Sequence, residues 1–291
     1  MKKTHQYNGS CSGRDLERLA YPLGGIGSGM ICLDGHGGLS HVSLRHKPEV
    51  FAEQQMFAAL HVKRQGVTAR VLEGPLPPHL VFGGARTGNG GWRNAGHGLP
   101  RFDEARFQAR FPFGTVTLDH PDVPLACEIE GWSPFIPGDA DASSLPFAAL
   151  IYRFRNPTSQ PVEAVFSFHA SNFLAVQPTA ETDRVGTVPD GFVLSAGRLE
   201  NHPAREAYCA VSSPADGVSV DAKWFRGTWF DAQTLLYRAI REGQIIANPP
   251  PEDEPSRGGS LYVPFAVDAG AVLEIPVLLT WYVPGSGVRE G

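Results

Sequence analysis

The chain has 291 residues, 42% of them apolar, and a net charge of −5 at pH 7. That length supports one large domain, or two small ones, around a substantial core. The 25 basic residues are dispersed rather than gathered in a stripe, which argues against nucleic acid as a partner, and no apolar run reaches the ~18 residues needed to span a bilayer.

With 33 glycines and 25 prolines, Gly and Pro make up about a fifth of the chain, a composition that suits many strands joined by many turns. The four cysteines, Cys11, Cys32, Cys127 and Cys209, are far apart and form no C-x-x-C, so free thiols are expected. Cys32 and Cys127 sit in apolar runs and read as small core hydrophobes.

Residues 1–16 read as a polar tail. The stretch MKKTHQYNGSCSGRD has basic residues but no apolar h-region, so it is not a secretory signal, and a cytoplasmic location is expected. The segment YPLGGIGSGMICL follows, with Gly24, Gly25, Gly27 and Gly29 ahead of an apolar run. It fails as a dinucleotide loop because the third glycine of G-x-G-x-x-G falls on Met30. It also lacks the G-K-[ST] of a P-loop, and Ser28 has Ile26 where a nucleophile elbow needs Gly. The remaining reading is a tight, close-packed turn into a buried strand.

Strands are expected at Met30–Leu33, Phe57–Lys63, Phe107–Pro112, Thr115–Leu118, Ala126–Glu130, Ala148–Asn156, Glu163–Ala170, Gly191–Ala196, Ala207–Ser212, Ser260–Val267 and Val272–Tyr282. In Ala148–Asn156, Leu150, Tyr152 and Phe154 share one face while Arg153 and Arg155 share the other, the pattern of a strand with one face on a core. A hairpin is expected between Ala148–Asn156 and Glu163–Ala170, joined by NPTSQPV. One helix is expected at Asp231–Glu242, with an apolar face of Leu235, Leu236, Ala239 and Ile240, Asp231 at its start and Gly243 in the C′ position. Many strands and one helix argue for stacked antiparallel sheets rather than a βαβ sheet.

The candidate chemistry is thin. Asp139, Asp141 and Ser143 begin like a calcium loop, but Ser144 replaces the required Gly and Leu150 stands where the bidentate Glu belongs, so loop-fixing Asx hydrogen bonds are expected instead. A glycosidase needs two carboxyl groups across the scissile bond, and sequence spacing singles out no such pair. Glu73 reads as a partly buried member of a structural ion pair. His36, His41 and His46 are five apart, a spacing that does not place them on one face of a strand, and no zinc motif is present. No metal or cofactor is expected. Trp92 lies in the Gly-rich stretch GGARTGNGGWRNAGHGLP and Trp132 opens the loop WSPFIPGD; either could stack on a sugar ring, and for Trp132 core packing is the favoured reading.

RLAYPLGGIGSGMICL, then FAALHVK with RVLEG, GLPRF, FPFGTVTL, GWSPFIPGDADASSLPFA and the Asn-Pro-Thr segment occur in one order over residues 17 to 283. This series resembles the N-terminal domain of glycoside hydrolase family 116, which includes the non-lysosomal glucosylceramidases, or bile acid β-glucosidases. The resemblance implies a mainly all-β fold, a two-sheet antiparallel β-sandwich with one or two short helices, over residues 17–284. It also implies that the catalytic Glu and Asp belong to a separate (α/α)6 domain. Residues 285–291 then read as a truncated linker with the catalytic domain absent, and no catalytic residue is carried over.

After the glycine run, the family's Trp and Asn-Arg-Pro are replaced by HVSLRHKPEV, with Arg45 and Pro48 remaining. That variation bears on substrate class more than on fold. The leading expectation is a sandwich module that buttresses a catalytic domain and helps wall its active-site mouth, non-catalytic alone. The alternatives are a stand-alone carbohydrate-binding module, whose ligand would be a β-glucoside, and a truncated gene product. Sugar or interdomain contacts are expected at Trp92, Trp132, Arg45 and Asp139.

Overall fold

The computed structural model describes residues 7–45, 55–64, 68–78, 98–175, 183–200, 205–224, 231–252 and 256–285, with side chains from 234 onward in the helix. The first strands in chain order are β1 (Cys11–Ser12), β2 (Ala20–Leu23), β3 (Met30–Asp34), β4 (Leu39–Ser43), β5 (Met56–Val62) and β6 (Thr68–Val71). Next come β7 (Glu104–Arg110), β8 (Phe113–Asp119), β9 (Ala126–Trp132), the one-turn helix α1 (Ala140–Ser143), β10 (Phe147–Arg155) and β11 (Val162–Ser171). The remainder is β12 (Arg184–Val188), β13 (Gly191–Ala196), β14 (Ala207–Ser212), β15 (Ser219–Asp221), helix α2 (Asp231–Arg241), β16 (Gly258–Val267) and β17 (Val272–Tyr282).

Three antiparallel sheets result. A nine-stranded sheet runs β1-β7-β8-β9-β10-β17-β14-β13-β12, a five-stranded sheet β15-β16-β11-β5-β6, and a three-stranded sheet β2-β3-β4. One continuous core joins them: Val116, Ile129, Leu150, Val277 and Leu279 from the long sheet meet Leu60, Phe166, Phe168 and Leu261 from the five-stranded one, with Leu23, Ile31 and Leu33 from the third. The architecture is the expected all-β sandwich, with the three-stranded sheet added. It does not begin at residue 17, because Cys11 and Ser12 pair with Phe107 and Arg106 and Leu16 is buried.

The expected hairpin between β10 and β11 does not form. β10 pairs with β9 and β17, while β11 pairs with β5 and β16, so the two strands lie in different sheets. Residues 156–161 carry the chain over the edge of the core, and Tyr152 and Phe166 meet across it with ring centroids 4.8 Å apart. Alternation specifies a core-facing side chain, not which strand is its hydrogen-bonded neighbour, and β10 buries Leu150, Tyr152 and Phe154 either way.

β11 is buried on both faces along most of its length. Val165, Ser167 and His169 are as buried as Ala164, Phe166 and Phe168, because α2 lies over the outer side of β5 and β6 and Trp224 closes the rest. α2 ends in a Schellman motif as Gly243 predicts: Gly243 has φ +64°, Gly243 N donates to Ile240 O at 3.0 Å, and Gln244 N to Ala239 O at 2.9 Å.

All four cysteines are free thiols. Burial pushes Cys32 up to about 11, with the Asp34 charge adding to it, and Cys209 to about 12; Cys127 is raised further still.

Candidate interdomain face

β2 leads into the glycine-rich turn and β3 leads out of it. Gly24, Gly27 and Gly29 take φ values of +139°, +75° and +102°, as the reading of a tight turn requires. Close approach is the second requirement. A Cβ on Gly25 would stand 2.4 Å from Leu145 O and 2.6 Å from Ser144 C, so backbone presses on backbone there.

Leu145 lies just beyond the loop WSPFIPGD, so the two sequence landmarks form one structural unit. Gly24 N donates to Ser133 Oγ at 3.0 Å, Ile26 N to Ser143 O at 2.8 Å, and the Trp281 indole N–H to Ser28 O at 2.6 Å. The loop is tied to itself as well: Ile136 N donates to Ser143 Oγ at 2.9 Å, and Ser143 Oγ to Ile136 O at 3.1 Å.

This braced unit carries apolar side chains outward. Ile26 is 62% exposed, Phe111 67%, Phe135 38%, Ile136 53% and Leu145 47%. Phe111, from the β7–β8 connection, meets Phe135 edge-on with centroids 4.8 Å apart. Exposed apolar residues held on a rigid frame mark an interaction site more often than scattered single residues do. In the sequence these residues sit beside Pro and Gly, a pattern equally consistent with loops plugged onto a core, so they were not among the expected contacts.

The four expected contact residues are placed differently. Asp139 caps α1 by accepting from Ala142 N at 2.9 Å, the loop-fixing role expected of it. Trp132 is not in the core: it lies half-buried on the outer side of β9 and meets Phe147 at 90° with centroids 5.6 Å apart. Arg45 follows Leu44, whose Cα lies beside Gly29, and its Nη2 donates to Leu174 O at 2.7 Å. Trp92 lies outside the described residues. The structure therefore joins Trp132 and Asp139 through one loop and gives Arg45 a bracing role.

The three buried carboxylates among the described residues each have a structural partner. Glu73 accepts from Arg101 Nε at 3.0 Å, which is the ion pair expected for it. Asp183 accepts from Arg205 Nη2 at 2.6 and 2.5 Å. Asp221 accepts from Lys223 N and Asn248 Nδ2. Among the described residues no three His, Cys, Asp or Glu side chains gather as a metal site, and no helix is long and apolar enough to cross a membrane.

Comparison with solved structures returns a putative kojibiose phosphorylase from human microbiome, 7% identical, with a TM-score of 0.44. The match covers 94% of this chain and 31% of that one, so the chain spans under a third of that protein's length. A search of curated proteins returns no match. The family model described as beta-glucosidase 2, glycosyl-hydrolase family 116 N-term matches residues 20–291, which include the glycine turn, the WSPFIPGD loop and every strand from β2 to β17. The chain thus belongs to the family of glycosyl-hydrolase 116 N-terminal domains.

Proposed function

We infer that this chain is the β-sandwich module of a β-glucosidase or glucosylceramidase of family 116, and that it supports glycoside hydrolysis without performing it. Its partner is an (α/α)6 catalytic domain, and the face it offers is the braced unit around Ile26, Phe111, Phe135, Ile136 and Leu145. The observation that carries this reading is the exposure of those five apolar side chains on a frame locked by backbone hydrogen bonds. A preorganised apolar face loses little conformational freedom on binding, which is what a permanent interdomain contact needs.

The buried carboxylates fit the same reading. Each is engaged by a cation or an amide in a contact that ties segments of the fold together.

Mixing the chain with a separately expressed family 116 catalytic domain tests the docking face. Co-elution as a 1:1 complex is expected, and Phe111→Ser with Phe135→Ser should abolish it without changing the fold. Co-elution unaffected by the double substitution would place the contact elsewhere.

A further inference from the structure

The register of the long sheet brings together five aromatic residues that are scattered in sequence. Phe113 stands opposite Trp132, on β8 and β9. Trp132 stands opposite Ala149, two residues from Phe147 on the same face of β10. Phe147 stands opposite Thr280, two residues from Tyr282 on the same face of β17. Tyr282 stands opposite Tyr208 on β14.

Side chains two apart on a strand, or directly opposite on paired strands, share a face. Phe113, Trp132, Phe147, Tyr282 and Tyr208 therefore form one diagonal row, with one ring from each of five adjacent strands. The intervening positions Gly114, Gly131, Ala148, Trp281 and Cys209 point into the core, so the row lies on the outer face. None of its members is buried: Tyr282 is 63% exposed, Phe113 41% and Tyr208 36%.

Two neighbouring pairs of these rings are in contact. Trp132 meets Phe147 at 5.6 Å, and Tyr208 and Tyr282 lie near parallel at 6.2 Å. Tyr208 Oη donates to Glu206 Oε1 at 3.0 Å, which fixes the outer ring of the row. At a strand spacing of about 4.8 Å the row extends about 19 Å across the sheet.

We propose that this row is a binding track for an oligosaccharide, the choice of glucose as its unit resting on the glucosidase reading above. A pyranose ring has an apolar C–H face and a rim of hydroxyls. The row offers flat apolar rings for the first, with the hydroxyl of Thr280 and the carboxylate of Glu206 beside them for the second. Rings anchored on consecutive strands are held rigidly, so binding orders little of the protein. The row extends over several strands, so each added sugar unit gains a further ring.

Titration of the 291-residue chain with β-1,4-linked glucotetraose, and separately with glucose, tests the track. The tetraose should bind saturably and at least about tenfold more tightly than glucose. Tyr282→Ala and Tyr208→Ala should each weaken tetraose binding about tenfold while leaving the unfolding midpoint unchanged, because both side chains lie outside the core. No binding of the tetraose at millimolar concentration would overturn the proposal, as would binding that is indifferent to both substitutions. Vesicle binding lost in Tyr282→Ala, with no sugar binding, would overturn it as well. The docking face uses other residues, so failure of either surface leaves the other test readable.

Discussion

Asn156 Nδ2 donates to the carbonyl of Val267 at 2.9 Å, joining two crossings between sheets that are far apart in sequence. The β10–β11 crossing and the β16–β17 crossing lie side by side because β10 pairs with β17 and β11 with β16. Asn156 is fully buried at their junction. Its Nδ2 also donates to Gln160 O, its Oδ1 accepts from Thr158 N and Oγ1, and its backbone exchanges hydrogen bonds with Ala271 and Gly270.

Asn156→Ala removes these side-chain bonds and leaves buried backbone groups unpaired. The expected loss is about 2–4 kcal/mol of unfolding free energy in urea, against about 1 kcal/mol for Thr158→Val. Equal losses for the two variants would contradict the junction role of Asn156.

The glycine turn separates close approach from backbone conformation. A Cβ at Gly25 would stand 2.4–2.8 Å from backbone atoms, while a Cβ at Gly27 would meet open space but on a backbone of φ +75°. Gly25→Ala should cost about 1–3 kcal/mol and raise hydrogen exchange at Ile26, whose amide bonds to Ser143 O. Gly27→Ala should cost about 1 kcal/mol without that local effect. Increased exchange at Ile26 in Gly27→Ala alone would reverse the assignment.

His169 gives the fold a pH dependence. Its Nδ1 pairs with Ser260 Oγ at 2.7 Å and its Nε2 with Ser167 Oγ at 2.8 Å, and burial lowers its pKa from 6.5 to about 3. Between those values the unfolded chain binds a proton that the folded chain excludes. The neutral-His contribution to stability is therefore fully present above about pH 6.5 and is lost progressively as pH falls toward 3. The slope from this group is up to about 1.4 kcal/mol per pH unit. Unfolding free energies measured from pH 7 to 4 should show this component in the parent chain and not in His169→Gln. An unchanged slope in the variant would assign the dependence to other groups.

Trp281 fastens the turn from beneath, with its indole N–H on Ser28 O at 2.6 Å and its ring 3.1 Å from where a Gly24 Cβ would stand. Trp281→Phe keeps most of the apolar burial and removes the donor. A loss of about 1–2 kcal/mol is expected, together with weaker binding of the catalytic domain, because the apolar face then rests on a looser frame. Undiminished docking would show that the frame does not depend on this bond.

The strand set was largely legible because it rests on local patterns. Gly191–Ala196 and Ala207–Ser212 are apolar runs bounded by turn residues, and they appear with the expected ends. Ala20–Leu23 was not legible, since Pro22 and the following glycines read as loop. Arg184–Val188 and Ser219–Asp221 are short edge strands with little periodicity to find. The β10–β11 connection misled because a hairpin and a crossing between sheets place the same side chains in the core. The aromatic row could not be read at all, since it depends on the pairing of β17 with β10 and with β14, a long-range property. The contact between the glycine turn and the WSPFIPGD loop likewise depends on segments 109 residues apart meeting at Gly24 and Ser133.

The most direct test of the central claim is the hydrolysis of an aryl β-glucoside by the purified chain, alone and with a family 116 catalytic domain. The account predicts no turnover by the chain alone, and turnover by the mixture that exceeds that of the catalytic domain by itself. Turnover by the chain alone that persists at constant specific activity through successive purification steps would contradict it.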